Sequence, residues 1–321
     1  MKTTVLPLRA VVLLLILTLV WGTSWPLFPF AMRQISVWTF RAVTLSAGGL
    51  LVLALARLGG HPLTIPRQDR RSLIFSAIIY LSVWNICSGY SAITIPSGQT
   101  AVLGFTMPLW SALISWAILG ETLPRRLILA LVFGGSAVMC LMVSGLAAYA
   151  HAPAGFAAGL LGGVGWAIGT LIFKRRRINA HALVVTGWQL LIASVPISAA
   201  ALVLGNHVWF VPTWQSLAVV SYLTLFPICI GNICWFSLIE IVPANVAGLS
   251  SVLIPVVAML SGAYVHGEPL GPLQGLAMLA CMMALWLALP APAREMSTEA
   301  GEAPVSPALI PNPSLTQPAD G

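Results

Sequence analysis

Charged side chains are scarce in this sequence. Fifteen Lys and Arg and eight Asp and Glu make up 7% of 321 residues, where a soluble domain carries roughly 25%. With 59% hydrophobic residues and a mean hydropathy of +0.95, a water-soluble globule is excluded. Strands alternating every second residue are also lacking, which argues against a membrane barrel. No CxxC pair occurs among Cys87, Cys140, Cys229, Cys234 and Cys281, and no His lies at zinc-ligand spacing. These thiols read as small buried hydrophobes, and no metal or cofactor is expected. No P-loop is present, so ATP is not the direct energy source. HExxH, GxSxG and paired midplane carboxylates are absent, which leaves an intramembrane enzyme little chemistry. The net charge of +7 sits in short clusters between apolar runs. It speaks for membrane topology and anionic lipid as a partner rather than nucleic acid.

What is present is a series of apolar runs of about 20 residues, each long enough to cross a hydrocarbon core. Lipid offers the backbone no hydrogen-bond partners, so these runs are helices. Ten spans are predicted at 9–30, 37–58, 72–95, 97–119, 127–147, 154–173, 182–205, 215–239, 245–265 and 272–290. The first follows Lys2 and Arg9 without an A-x-A-like cleavage site and reads as a retained helix. Gly59–Arg71, with Arg67, Asp69, Arg70 and Arg71, is predicted to be a connection, and the Pro-, Ser- and Ala-rich tail 291–321 to be disordered. Alternating spans from a cytoplasmic N-terminus (1–8) put Lys2, Arg9, Arg57, Arg67, Arg70, Arg71, Arg125, Arg126, Lys174, Arg175, Arg176, Arg177 and Arg294 inside. Only Arg33 and Arg41 fall outside. Both termini are therefore expected in the cytoplasm.

A repeat recurs at an offset of 147 residues. Asn85-Ile86-Cys87 returns as Asn232-Ile233-Cys234, Pro96 as Pro243, Pro108 as Pro255, Gly120-Glu121 as Gly267-Glu268 and Leu123 as Leu270. A series in register without a gap indicates duplication. It divides the chain into a first five-helix repeat, 9–148, and a second, 149–290. Five is odd, so the second repeat enters the membrane inverted. The fold class expected is an all-α integral membrane protein of ten helices in two inverted repeats. That architecture is a hallmark of secondary transporters, with the substrate site near the midplane between the halves.

At these residues the sequence resembles the EamA-type branch of the drug/metabolite transporter superfamily. The matching pieces are Trp21-Gly22-Thr23-Ser24-Trp25, Phe40-Arg41-Ala42, Ile95-Pro96-Ser97-Gly98, Met107-Pro108-Leu109 and Leu119-Gly120-Glu121-Thr122-Leu123. In the second half they are Gly165-Trp166-Ala167 near Lys174–Arg177, Ile254-Pro255-Val256 and Gly267-Glu268-Pro269-Leu270. The resemblance covers residues 8–290. It implies export of a small-molecule substrate, a metabolite, amino acid or drug-like compound, often driven by protons as coupling ion.

Candidate residues follow from depth and chemistry. Pro108 and Pro255, near the middles of spans 4 and 9, are either paired flexing points of a gate or static kinks. Asn85 and Asn232 are amides in apolar helices and should face the protein interior, either bonding between helices or lining the cargo path. Ser88 and Trp235 lie one turn on and share their faces. Among twelve tryptophans, Trp38 and Trp209 read as interfacial anchors. Trp21, Trp25, Trp84, Trp110, Trp166 and Trp235 lie deeper, and some should wall a pocket suited to amphiphilic or cationic cargo. Trp21 and Trp166 take priority because each adjoins a motif glycine. Gly155, Gly159, Gly162, Gly163, Gly165 and Gly169 read as a helix-packing face. Glu121 and Glu268 end spans 4 and 9 and read as mirrored gate locks. Glu240, whose repeat mate is Ile93, is the candidate for proton coupling. Arg41 either attracts an anionic cargo group or snorkels to the headgroups, the second reading being preferred. A sensor or assembly factor is the remaining alternative, and it would not require inverted duplication.

Overall fold

The structure is a computed structural model that describes residues 7–32, 34–95, 97–104, 106–175, 178–204, 213–242, 253–267 and 270–288. Among these residues every regular element is helical. Eight helices are long and apolar enough to cross a membrane: Leu8–Leu27, Val37–Leu58, Arg67–Thr94, Thr100–Ala117, Arg125–Ser144, Pro153–Arg175, Ala182–Leu204 and Trp214–Ile241. Two shorter apolar helices, Leu253–His266 and Pro272–Ala288, complete the order. These are spans 1 to 10 of a multi-pass membrane protein. Large apolar side chains such as Leu129, Val132 and Leu202 stand exposed on the outside of the bundle, as a lipid-facing surface requires.

Three local features differ from the sequence expectation. Span 3 begins at Arg67 rather than 72, because Pro66 sets an extended residue before it and Asp69 in its first turn complements the helix dipole. In span 4 one helix is described over Ser97–Gly104 and another over Met107–Ala117, with Thr106 as N-cap and Pro108 in the first turn of the second. Pro108 thus sits in a first turn, where its missing N–H costs nothing. Pro255 lies in the helix described over Leu253–His266. Spans 3 and 8 each contain a π-helical stretch, Ile78–Ser82 and Thr224–Gly231. Shifted by 147, the first falls inside the second.

The packing is symmetric under exchange of the halves. Span 2 packs on span 7 and span 5 on span 10, each pair being repeat equivalents. Span 6 packs on spans 3 and 4, and span 1 packs on spans 8 and 9, the same relation with the halves swapped. Reciprocity reaches single residues. A Cβ on Gly49 would meet Leu191 Cγ at 2.7 Å, and one on Gly187 would meet Leu53 Cγ at 2.7 Å, as two antiparallel equivalent helices demand. The helix ends match too: Gly120 and Gly267, one repeat apart, close spans 4 and 9 with φ of 66° and 67°. That left-handed conformation costs other residues about 1–2 kcal/mol.

Span 6 shows why its glycines are there. Cβ atoms at Gly165 and Gly169 would lie 3.1 Å from the Ile79 carbonyl oxygen and 3.0 Å from the Tyr80 backbone nitrogen. Those at Gly159 and Gly163 would strike Leu103 and Thr106. The packing reading of this face holds for spans 3 and 4 alike, and overfilling it would cost about 1–3 kcal/mol per site.

The connections carrying the basic residues meet at one end of the bundle. Asp69 accepts from the Asn179 backbone N–H at 3.0 Å, His61 stacks on His181 at 3.6 Å, and Arg126 donates to the Trp286 carbonyl at 3.1 Å. This basic end is opposite the one where spans 1 and 2 join.

Candidate functional site

A cavity lies between the halves. Its walls come from the far part of span 1, the start of span 2 and the middles of spans 3, 6 and 8, closed by Ala101, Gly104 and Met107 of span 4. It occupies the middle of the bundle and the half away from the basic end.

Aromatic rings form most of its surface. Trp166 stands edge-on to Trp21 at 5.2 Å and to Trp84 at 4.7 Å. Glycines make room for both neighbours: a Cβ at Gly231 would lie against Trp21 Nε1, and one at Gly104 against the Trp84 ring. Trp21 Nε1 is fixed by donating to the Pro227 carbonyl at 2.9 Å, across the two halves. Toward the mouth, Trp25 meets Phe28 at 5.3 Å and Phe28 meets Phe40 at 5.6 Å.

The amides sit where the helices are irregular. Asn85 Nδ2 donates to the Leu81 carbonyl and Asn232 Nδ2 to the Ile228 carbonyl, each at 2.8 Å and each four residues back. These carbonyls belong to the π-helical stretches, where the regular ladder is broken and a side chain can occupy the acceptor. The amides therefore bond within their own helices, not between helices, and both line the cavity. Asn85 Oδ1 and Trp166 Nε1 are buried without a hydrogen-bond partner.

Below the cavity, toward the basic end, lies an aromatic floor. Tyr80 contacts Trp166 at 5.3 Å and Phe236 at 5.5 Å, and Phe236 meets Phe173 at 5.1 Å. Trp235 is wholly buried there, 5.9 Å from Trp21 and 5.8 Å from Trp166. Lower still, Lys174 Nζ donates to the Ile239 and Val242 carbonyls, tying span 6 to the end of span 8. Arg175 pairs with Glu121 at 3.4 Å, tying span 6 to the turn after span 4.

Of the residues singled out by sequence, Trp21, Trp25, Trp84, Asn85, Trp166 and Asn232 line one cavity. Ser88 stands behind the wall and Trp235 forms part of the floor. Trp110 lies in the first turn of Met107–Ala117, donating to Thr106 Oγ1 at 3.0 Å. Trp38 is buried against Gly89 rather than anchored at an interface. Glu268 and Trp209 lie outside the described residues. Glu240 is not toward the interior of span 8: it is exposed in the last turn of Asn232–Ile241, outside the cavity lining.

Arg41 corrects the sequence reading most. It does not reach for the headgroups; only 7% of it is exposed, and it forms part of the cavity wall. Its guanidinium carbon lies 5.0 Å from the Phe28 ring centre and 5.9 Å from that of Phe40. Nη2 donates to Ser88 Oγ at 3.5 Å, and Nε has no partner among the described residues. Tyr80, Phe28 and Phe40 are further wall residues that sequence reasoning passed over. The Phe40-Arg41 pair, a lone charge inside an apolar run, was the available signal.

This geometry has relatives. One solved crystal structure superposes with a TM-score of 0.70 over 87% of this chain and 96% of its own, at 18% identity, a likeness of fold. The uncharacterized transporter YvbV of Bacillus subtilis is 24% identical over 82% of this chain and 85% of its own length. The uncharacterized inner membrane transporter YedA of Escherichia coli K12 is 25% identical over 82% and 84% respectively. Protein PecM of Dickeya dadantii is 27% identical over 57% of this chain and 61% of its own. The EamA-like transporter family matches residues 8–143 and again 153–289, one match in each half of the packing, and the chain belongs to that family of transporters.

Proposed function

We propose that this transporter exports a small amphiphilic metabolite, an amino acid or chemically related compound, across a cell inner membrane by alternating access, with both termini cytoplasmic. One observation carries the reading: the cavity between the halves lies away from the basic end, while the aromatic floor, Lys174 and the Arg175–Glu121 pair close the way toward that end. With the basic end in the cytoplasm, this is an outward-facing arrangement. Exchanging the roles of the two halves would produce the inward-facing one.

The moving parts are the helix that begins at Met107, with Pro108 in its first turn, and its repeat equivalent, which carries Pro255. Each is closed by a glycine with positive φ, so each can swing about its proline. Glu121 is the lock of the first on the basic end, and Glu268 its proposed mirror. The cavity offers amphiphilic cargo apolar rings together with the Asn85 and Asn232 amides. Export is the direction the family resemblance implies. No carboxylate among the described residues lines the cavity, so coupling through Glu240 is not part of the proposal.

Counterflow in proteoliposomes preloaded with amino acids or aromatic metabolites tests it. Labelled compound should accumulate transiently against unlabelled compound inside. Absence of exchange with every compound, alongside turnover of a substrate or capture of a partner protein, would contradict transport.

A further inference from the structure

Arg41 is a charge buried without a countercharge among the described residues. Three of the eight acidic residues in the sequence are described: Asp69, Glu121 and Glu240. Asp69 and Glu121 are engaged at the basic end by Asn179 and Arg175, and Glu240 stands at that end of span 8. No carboxylate among the described residues lies within ion-pair distance of Arg41. A guanidinium has five N–H donors, and this one makes a single hydrogen bond, at 3.5 Å to Ser88 Oγ. Phe28 and Phe40 supply cation–π contact, which is weaker than a carboxylate would be. A structural arginine buried in a membrane protein is normally paired. Here the guanidinium belongs to a residue that lines the space the cargo is to enter.

We propose that Arg41 is the anion anchor of the cavity, and that the cargo is a small monocarboxylate with an apolar or aromatic body. This rests on the transport reading and, within its class of small amphiphiles, replaces the amino acid by a related monocarboxylate. The cavity wall carries one positive charge among the described lining residues. A monoanion neutralises it, whereas a zwitterionic amino acid brings an ammonium that finds no carboxylate there. An organic cation, for which the tryptophans alone would argue, is repelled. The carboxylate receives the Nη donors that Ser88 leaves unused. The apolar body extends past Trp21, Trp84 and Trp166.

Binding to the full-length protein in nanodiscs tests this with four probes that share a phenyl-ethyl skeleton: 3-phenylpropanoate, 3-phenylpropanamide, phenylalanine and 2-phenylethylamine. Trp21, Trp25, Trp84 and Trp166 line the cavity, so tryptophan fluorescence reports occupancy. The acid should bind at least about tenfold tighter than the amide, tighter than phenylalanine, and the amine most weakly. Arg41→Gln should level the acid with the amide, and Arg41→Lys should keep part of the preference. Equal binding of acid and amide, tightest binding of the amine or of phenylalanine, no saturable binding of the acid, or an undiminished preference in a monodisperse R41Q would each overturn the proposal. The wild-type series alone decides if neither variant folds. Equilibrium binding needs no flux, so failed counterflow with intact acid selectivity would count against transport and leave the anchor standing.

Discussion

The two ends of the bundle are built from different interactions. At the basic end, spans and connections are tied by directional contacts: Lys174 to two carbonyls of span 8, Arg175 to Glu121, Arg126 to Trp286, Asp69 to Asn179. At the other end the halves face each other across rings, around a cavity whose single described charge is Arg41. A barrier that must open and close is well made from a few hydrogen bonds, because each is worth little net and none needs repacking. A binding surface is well made from stacked indoles, which hold their shape when empty. On the proposed alternating-access reading, gating belongs to one end and recognition to the other, and the contrast can be broken from either side.

The largest effect is expected where the two ends meet. Trp166 touches Trp21, Tyr80, Trp84 and Trp235, so Trp166→Ala merges cavity and floor. A loss of about 3–5 kcal/mol is expected for such a truncation, read as a lowered Tm with exchange abolished. Unchanged Tm and exchange would show that the indole is filler. Lys174→Met removes charged hydrogen bonds worth about 1.5–3 kcal/mol each and frees the end of span 8. In a variant whose sole cysteine is the buried Cys234, thiol labelling should rise about tenfold or more; a constant rate would remove Lys174 from the gate.

Smaller effects are expected at the rim. The side chains of Arg175 and Glu121 are 53% and 51% exposed, so Glu121→Gln should cost at most about 1 kcal/mol and change exchange rates only a few-fold, with the charge swap E121R/R175E restoring them. Abolished transport in E121Q, not rescued by the swap, would give Glu121 a role beyond the lock. The mildest concerns pH. Burial, then the facing His61 and Arg9, hold the His181 imidazole below its ordinary value of 6.5. A base with a lowered folded-state pKa takes up its proton more readily when the contact opens. The His61–His181 stack is therefore at full strength above about pH 6.5 and weakens as the pH falls below it. Hydrogen exchange at residues 59–66 and 178–181 should quicken in that direction; a flat profile from pH 7.5 to 5 would contradict it.

Much of this architecture was legible in the chain because lipid leaves few options. Apolar length predicts the spans, and the register from Asn85 to Leu123 against Asn232 to Leu270 predicts inverted halves, down to the paired glycines Gly120 and Gly267. The tryptophans that face one another were also legible, through their depth and neighbouring glycines. The π-helical stretches were not, since one extra residue in a turn leaves no signature in hydropathy. Span 4 reads as one continuous run because nothing in its hydropathy marks Met107 as the first residue of a helix. Arg41 was misread for a related reason: near a helix end, snorkelling outward and turning inward look alike until Phe28, Phe40 and Ser88 are seen to surround it.

The central claim is that the recognition cavity opens away from the basic end while that end is shut. Ala101 lines the cavity from span 4. Ala101→Cys in a cysteine-free background, in oriented membrane vesicles, can be challenged with a membrane-impermeant maleimide from one side at a time. The account predicts rapid modification from the face opposite the basic connections and slow modification from the basic face. Rapid modification from the basic face alone would contradict it.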